Sequence, residues 1–180
     1  MNFASRSTAR TILIVDARRT NLEILGHRLG KHGYLPILCE SGRRAIDLIT
    51  GGGIDLVLLA SDLPDLSCLD VLREVRSVRD TADLPIIVMT SRGDEAGAVE
   101  ALMAGASDHV ARPLGVDMLV ARIGRAIGHA RRIDDLKRFN AALDARIAAR
   151  AIELGELRDD RQRLFHSVEM LTARLAEHVA

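Results

Sequence analysis

Residues 54 to 67 read IDLVLLASDLPDLS. The run from Ile54 to Leu59 has the length of a strand and is nearly continuous in apolar residues, which is expected when both faces of a sheet are covered. It stops abruptly at Ala60-Ser61-Asp62 and is followed by a turn at Pro64-Asp65. In a parallel sheet the carboxyl end of such a strand is where chemistry is mounted. The residue delivered there is an alanine.

Working outward, four more runs share this character: TILIV at 11–15, YLPILC at 34–39, LPIIVMT at 84–90 and a weaker DHVA at 108–111. Amphipathic helical segments lie between them. NLEILGHRLGKHG closes on Gly33 as a helix stop, and SGRRAIDLIT starts on Ser41 as an N-cap. CLDVLREVRSV places Leu69, Leu72, Val75 and Val78 at helical spacing, and DEAGAVEALMAG ends on Gly105. Five strand-helix units imply right-handed crossovers and a parallel sheet with helices on both sides, a flavodoxin-like doubly wound α/β fold.

Composition restricts function. The chain has 180 residues, 25 Lys plus Arg against 25 Asp plus Glu, one Tyr, three Phe and no Trp. A charge-balanced chain with almost no aromatic rings is poorly equipped for nucleic acid, whether by phosphate attraction or base stacking, and for an anionic membrane surface. No apolar run approaches the ~20 residues of a spanning helix. Cys39 and Cys68 lack metal-type spacing and read as buried free thiols of a cytoplasmic protein. The six histidines form no metal-like cluster, and TGGGID at 50–55 precedes a strand, so it reads as a turn and not a phosphate loop.

After residue 132 the pattern changes. Residues 1–10 read as a disordered lead-in, 11–132 as the α/β domain and 133–180 as one helix with a heptad seam. Its a positions are Ile133, Asn140, Ile147, Leu154, Arg161, Val168 and Leu175; its d positions are Leu136, Leu143, Arg150, Leu157, Leu164, Leu171 and His178. β-branched residues at several a positions with Leu at every apolar d position favour a parallel two-stranded coil, and Asn140 at a is a register-fixing device. A homodimer is therefore expected. A helix folded back onto the sheet domain is the competing reading.

The strand ends collect Asp16 after ILIV, Ala60 after LVLL, Thr90 after IIVM, and Arg112-Pro113 after HVA. The order and spacing of ILIVDARRTNLEIL, ESGRRAIDLI, IDLVLLASDLPDLSCLDVLREVR, LPIIVMTSRGDE and AVEALMAGASDHVARP resemble a bacterial response-regulator receiver domain over residues 11 to about 130. The resemblance implies two adjacent acidic residues after the first strand, an aspartate phosphoacceptor ending the third, a Thr or Ser after the fourth and a Lys-cis-Pro after the fifth. Here Asp16 keeps the first acid, but Ala17 and Ala60 replace the metal ligand and the phosphoacceptor. Thr90 matches the hydroxyl, Arg112 replaces the Lys, Pro113 is retained, and His109 falls where an aromatic switch residue is expected.

Three clustered carboxylates repel one another and form an oxygen site for a hard cation. With two of them replaced by alanine, Asp16 is expected to pair with Arg112 across the crevice, and Mg2+ binding to be weak or absent. The resemblance then implies a degenerate pseudo-receiver that needs no cofactor, is not an enzyme, and acts as a dimeric interaction module toward a histidine kinase or an output enzyme in a phosphorelay-type pathway. Two alternatives stand beside it: phosphoacceptance by Asp62, two residues past Ala60, and a crevice that senses a small ligand.

Overall fold

The computed structural model describes residues 9–113 and 115–179, with side chains through 174. Of the lead-in expected at 1–10, residues 1–8 lie outside the described residues, as do the side chains of Leu175 and His178, while Arg10 is held by Asp55 at 2.8 Å and is part of the domain. Internal contacts divide the chain into two units, residues 1–133 and 134–180.

The first unit alternates strand and helix: β1 (Thr11–Val15), α1 (Arg19–Lys31), β2 (Leu35–Cys39), α2 (Gly42–Thr50), β3 (Leu56–Ala60), α3 (Cys68–Ser77), β4 (Ile86–Thr90), α4 (Glu95–Met103), β5 (Asp108–Ala111) and the start of α5 (Val116–Val179). The strands pair in parallel in the order β2-β1-β3-β4-β5. This is the flavodoxin-like sheet that five strand-helix units imply. Every residue of β3 and β4 is buried, as continuous apolar runs require when both faces are covered.

Alternation along the strands sorts these side chains into two cores. Leu13, Val15, Val57, Leu59, Ile86 and Val88 pack with α2, α3 and Ala101 of α4. Ile12, Ile14, Leu58, Ile87, Met89 and Val110 face the other way, against Leu22, Leu25 and Leu29 of α1 and Leu119, Ile123 and Ile127 of α5. Burial at about 25 cal/mol per Å2 of apolar surface makes these two layers the main stabilising term. β2 is an edge strand and is only partly covered, with Leu35 and Leu38 exposed.

Helix ends follow local chemistry. The Ser41 side chain accepts from the Arg44 N–H to cap α2, and Ser67 and Asp94 do the same for α3 and α4. After α1, the Tyr34 N–H reaches the Leu29 carbonyl and the Gly33 N–H reaches Gly30, with Gly33 at φ +83°. That reversal is a Schellman stop, and only glycine adopts it without strain. One expectation needs correcting. The face of α3 turned to the core is Cys68, Val71, Leu72 and Val75, while Leu69 is half-buried and Val78 is exposed. The reason is that the helix ends at Ser77, leaving Val78 in an extended conformation outside it.

In the second unit the same helix α5 continues to Val179, and every described side chain from 134 to 174 is exposed. Leu136, Ile147, Leu154 and Leu164 are each more than half exposed. Among the described residues no helix is long and apolar enough to cross a membrane.

Candidate functional site

The carboxyl ends of β1, β3, β4 and β5 meet at one edge of the sheet. Pairing extends past the strands there: the Ser61 N–H donates to the Met89 carbonyl, and the Arg112 N–H to that of Thr90. Ala60 is completely buried, and Thr90 and Asp16 are almost so. Ala17 is exposed. The Arg112-Pro113 peptide bond is cis.

Asp16 is a carboxylate taken out of water, so its charge has to be matched locally. Its Oδ1 accepts from the Arg18 backbone N–H at 2.9 Å, and the Asn21 side-chain amide donates to both oxygens at 3.3 and 3.1 Å. Arg112 completes the set, its Nη2 donating to Oδ2 at 2.6 Å across 96 residues of sequence. That length is typical of a charge-assisted hydrogen bond. The Arg112 side chain is 21% exposed, so the pair is largely but not wholly shielded.

The other arm of the guanidinium points toward Asp62, with Nη1 to Oδ1 at 3.6 Å. Asp62 is half exposed and also lies 4.0 Å from Arg18. Arg112 thus stands between Asp16 and Asp62. A hard divalent cation wants several oxygen ligands of its own. The oxygens present do not fit that need, because Ala17 and Ala60 supply none and those of Asp16 are already taken, Oδ2 by Arg112 and Asn21 and Oδ1 by the Arg18 N–H and Asn21. Among the described residues, no group of three or more His, Cys, Asp or Glu side chains is placed to hold a metal ion. His109 is half-buried, opposite Val88 in the β4-β5 register and on the sheet face opposite its neighbour Val110.

Three residues that sequence reasoning passed over turn out to matter. Arg18 and Asn21 hold Asp16; an Asp followed two residues later by an amide donor at a helix start is an Asx-type signal that was present in the sequence. Asp65, which turn chemistry alone seemed to explain, reaches instead to the start of α2. It accepts from the Ser41 hydroxyl at 2.8 Å and from the N–H groups of Gly42 and Arg43 at 2.9 and 3.0 Å. Those donors, the Arg43 N–H foremost, hold its carboxyl down at about 2. A negative group at a helix N-terminus also complements the helix dipole. The loop after β3 is therefore tied down at both of its aspartates.

Asp108 anchors α5 in a similar way. Arg122 donates to both of its oxygens at 2.8 Å and Arg125 to one at 3.1 Å. Burial alone would push the carboxyl up, but the two guanidinium groups and the His109 N–H bring it below its usual value.

A family model described as the response regulator receiver domain matches residues 12–124. Among curated proteins, the chain is 40% identical over 112 residues to the response regulator MprA of Mycolicibacterium vanbaalenii, covering 62% of this chain and 48% of that one. It is 36% identical over 124 residues to MprA of Mycobacterium avium, covering 69% and 54%. The chain thus spans about half the length of these relatives. Among solved structures, it superposes on a response regulator receiver domain protein of Clostridium thermocellum with TM-score 0.65 at 26% identity, covering 69% of this chain and 98% of the other. The receiver domain of a signal transduction histidine kinase from Syntrophus aciditrophicus gives 0.64 at 27% identity, covering 69% and 94%.

Two outcomes are expected from this geometry. Replacing Arg112 with Ala strands the buried Asp16 charge and should cost about 2–4 kcal/mol in denaturant unfolding, short of a fully buried pair because Arg112 touches solvent. The Asp16→Asn/Arg112→Ala pair should cost less than the sum of its single changes. Asp65 has a depressed folded-state value, so its contribution is complete above the ordinary carboxyl range and disappears as pH falls toward 2. The stability gap between wild type and Asp65→Asn, followed by thermal melting, should close over that interval; a gap independent of pH would refute the assignment.

Proposed function

Because this chain belongs to the response regulator receiver family of two-component signalling, we propose that it is an atypical receiver whose output does not depend on phosphorylation. The observation that carries this reading is the 2.6 Å pair between Arg112 and the buried Asp16. A receiver crevice has to gather negative charge for a cation and then a phosphoryl group. This one is already neutralised by its own arginine, and the side chain at the phosphoacceptor position is a methyl group, Ala60. Phosphoryl transfer rests on positioning and on stabilising developing charge, and neither a nucleophilic oxygen at position 60 nor a free ligand set at Asp16 is on hand to supply it.

On this reading the protein is not an enzyme. It is a cytoplasmic interaction module that meets a histidine kinase or an output enzyme through its helical faces and pairs with a second copy through α5. The exposed seam residues Leu136, Leu143, Ile147, Leu154, Leu157, Leu164, Val168 and Leu171 support the pairing. A stripe of aliphatic side chains at heptad spacing leaves a large apolar area in water unless a partner helix covers it. Asn140, exposed within that stripe, would fix register by bonding its counterpart.

Incubation with a small-molecule phosphodonor and Mg2+, followed by intact-mass measurement, should give no adduct. A stable acyl-phosphate adduct that disappears in Asp62→Asn would refute the proposal and establish Asp62 as the acceptor. By light scattering the chain should be a dimer that becomes a monomer when residues 134–180 are removed; a monomeric full chain would end the coiled-coil reading.

A further inference from the structure

At the sheet edge opposite the crevice, beside the amino ends of β4 and β5, the first unit holds a cleft of about 520 Å3. Pro85, Ala126 and Ala130 give it an apolar lining. Its charged groups are predominantly basic: Arg76 from α3 and Arg125, His129 and Arg132 from α5, against Asp83 as the acidic lining residue among those described. The last three basic residues fall at i, i+4 and i+7, one face of a helix. Like charges stacked along a face repel, and Asp108 already offsets that of Arg125 at 3.1 Å.

Arg76 is set in place by the fold. Its Nε donates to the Gly105 carbonyl at 2.9 Å and its Nη1 to that of Thr81 at 3.5 Å, both neutral acceptors. Gly105 has φ +100°, and a side chain there would meet the Arg76 side chain at 3.2 Å. The glycine turn after α4 therefore leaves room for the guanidinium to lie along it. Burial lowers the tendency of Arg76 to carry its charge, while Asp83 raises it.

We infer that this cleft binds a phosphate-bearing small molecule of nucleotide size. Volumes between about 300 and 1,000 Å3 accommodate such ligands. Guanidinium forks match phosphate oxygens and also stack on planar rings. The phosphates would lie among Arg76, Arg125 and Arg132, and the base over Pro85 and the α5 alanines. A localised basic cleft on a chain of zero net charge suits a small anion better than an extended nucleic acid, which needs a continuous basic surface. Arg76 comes from one face of the sheet and Arg125 to Arg132 from the other, so a bound ligand would brace α5 against the α3-β4 and α4-β5 connections. The inference is independent of the phosphorylation reading, since none of these residues touches Asp16 or Arg112.

Calorimetric titration of the full chain with ADP, GDP and a cyclic dinucleotide tests it, with inorganic pyrophosphate as the base-free arm. Saturable binding of at least one nucleotide is expected, weakened tenfold or more in Arg132→Glu and in His129→Glu. Both side chains are exposed, and circular dichroism would check that the variants remain folded. Arg44→Glu on α2, a charge change outside the cleft, should bind as wild type. Absence of saturable binding by every nucleotide, or an equal loss in Arg44→Glu, would overturn the site. Pyrophosphate binding as tightly as any nucleotide would overturn its assignment to nucleotides.

Discussion

A carboxylate that is almost fully buried cannot stay charged without partners, and the carboxyl edge of this sheet is organised around meeting that requirement for Asp16. Its position is inherited from β1, buried from Ile12 to Val15, so water is excluded by the same packing that forms the core. Three donors answer it: one from the adjacent backbone, one from the first turn of α1, and one from the loop after β5. The last joins the first strand to the fifth. Because that donor is an arginine whose second arm leans toward Asp62, the loops after β3 and β5 are referred to the same charge.

The rest of the architecture explains how that pairing is held. Two apolar layers clamp the sheet, with α2 and α3 on one face and α1 and α5 on the other. Asp65 pins the loop after β3 to the start of α2, and Asp108 pins β5 to α5 through two arginines. The Asp65 tether sits on a segment between rigid elements, where conformational freedom would otherwise be greatest, and the Asp108 tether joins two such elements directly. Helix α5 serves two environments in one continuous element. Leu119, Ile123 and Ile127 are buried in the first unit, while Leu136, Ile147 and Leu154 in the second are exposed. The shift from a core-facing spacing to a heptad seam is written in the side chains, and the backbone does not change.

Much of this was legible beforehand. The strands appear within two residues of where continuous apolar runs placed them, and Ser41, Gly33 and Gly105 act at helix ends as their residue types suggest. Misplacements came where local pattern competes with tertiary geometry. Val78 continued the helical spacing of α3, but the chain had already turned extended. Asp65 had a sufficient local explanation as a turn residue, which concealed its bonds to residues more than twenty positions earlier. Asn21 was read as the start of a helical segment, although its amide holds the buried acid.

The sequence by itself determined the fold class, the order of the elements, the alanines at positions 17 and 60 and the heptad seam beyond residue 132. All of these are encoded in neighbours a few positions apart, where the helical and strand periods leave a direct trace. The Asp16–Arg112 pair was expected from the strand ends; only the tertiary structure decided that the same guanidinium leans on Asp62, that Asp65 caps a distant helix, and that Arg76 joins three basic residues of α5 around one cleft. Each joins side chains from separate elements, and their distances follow from sheet order and register, which no local period specifies.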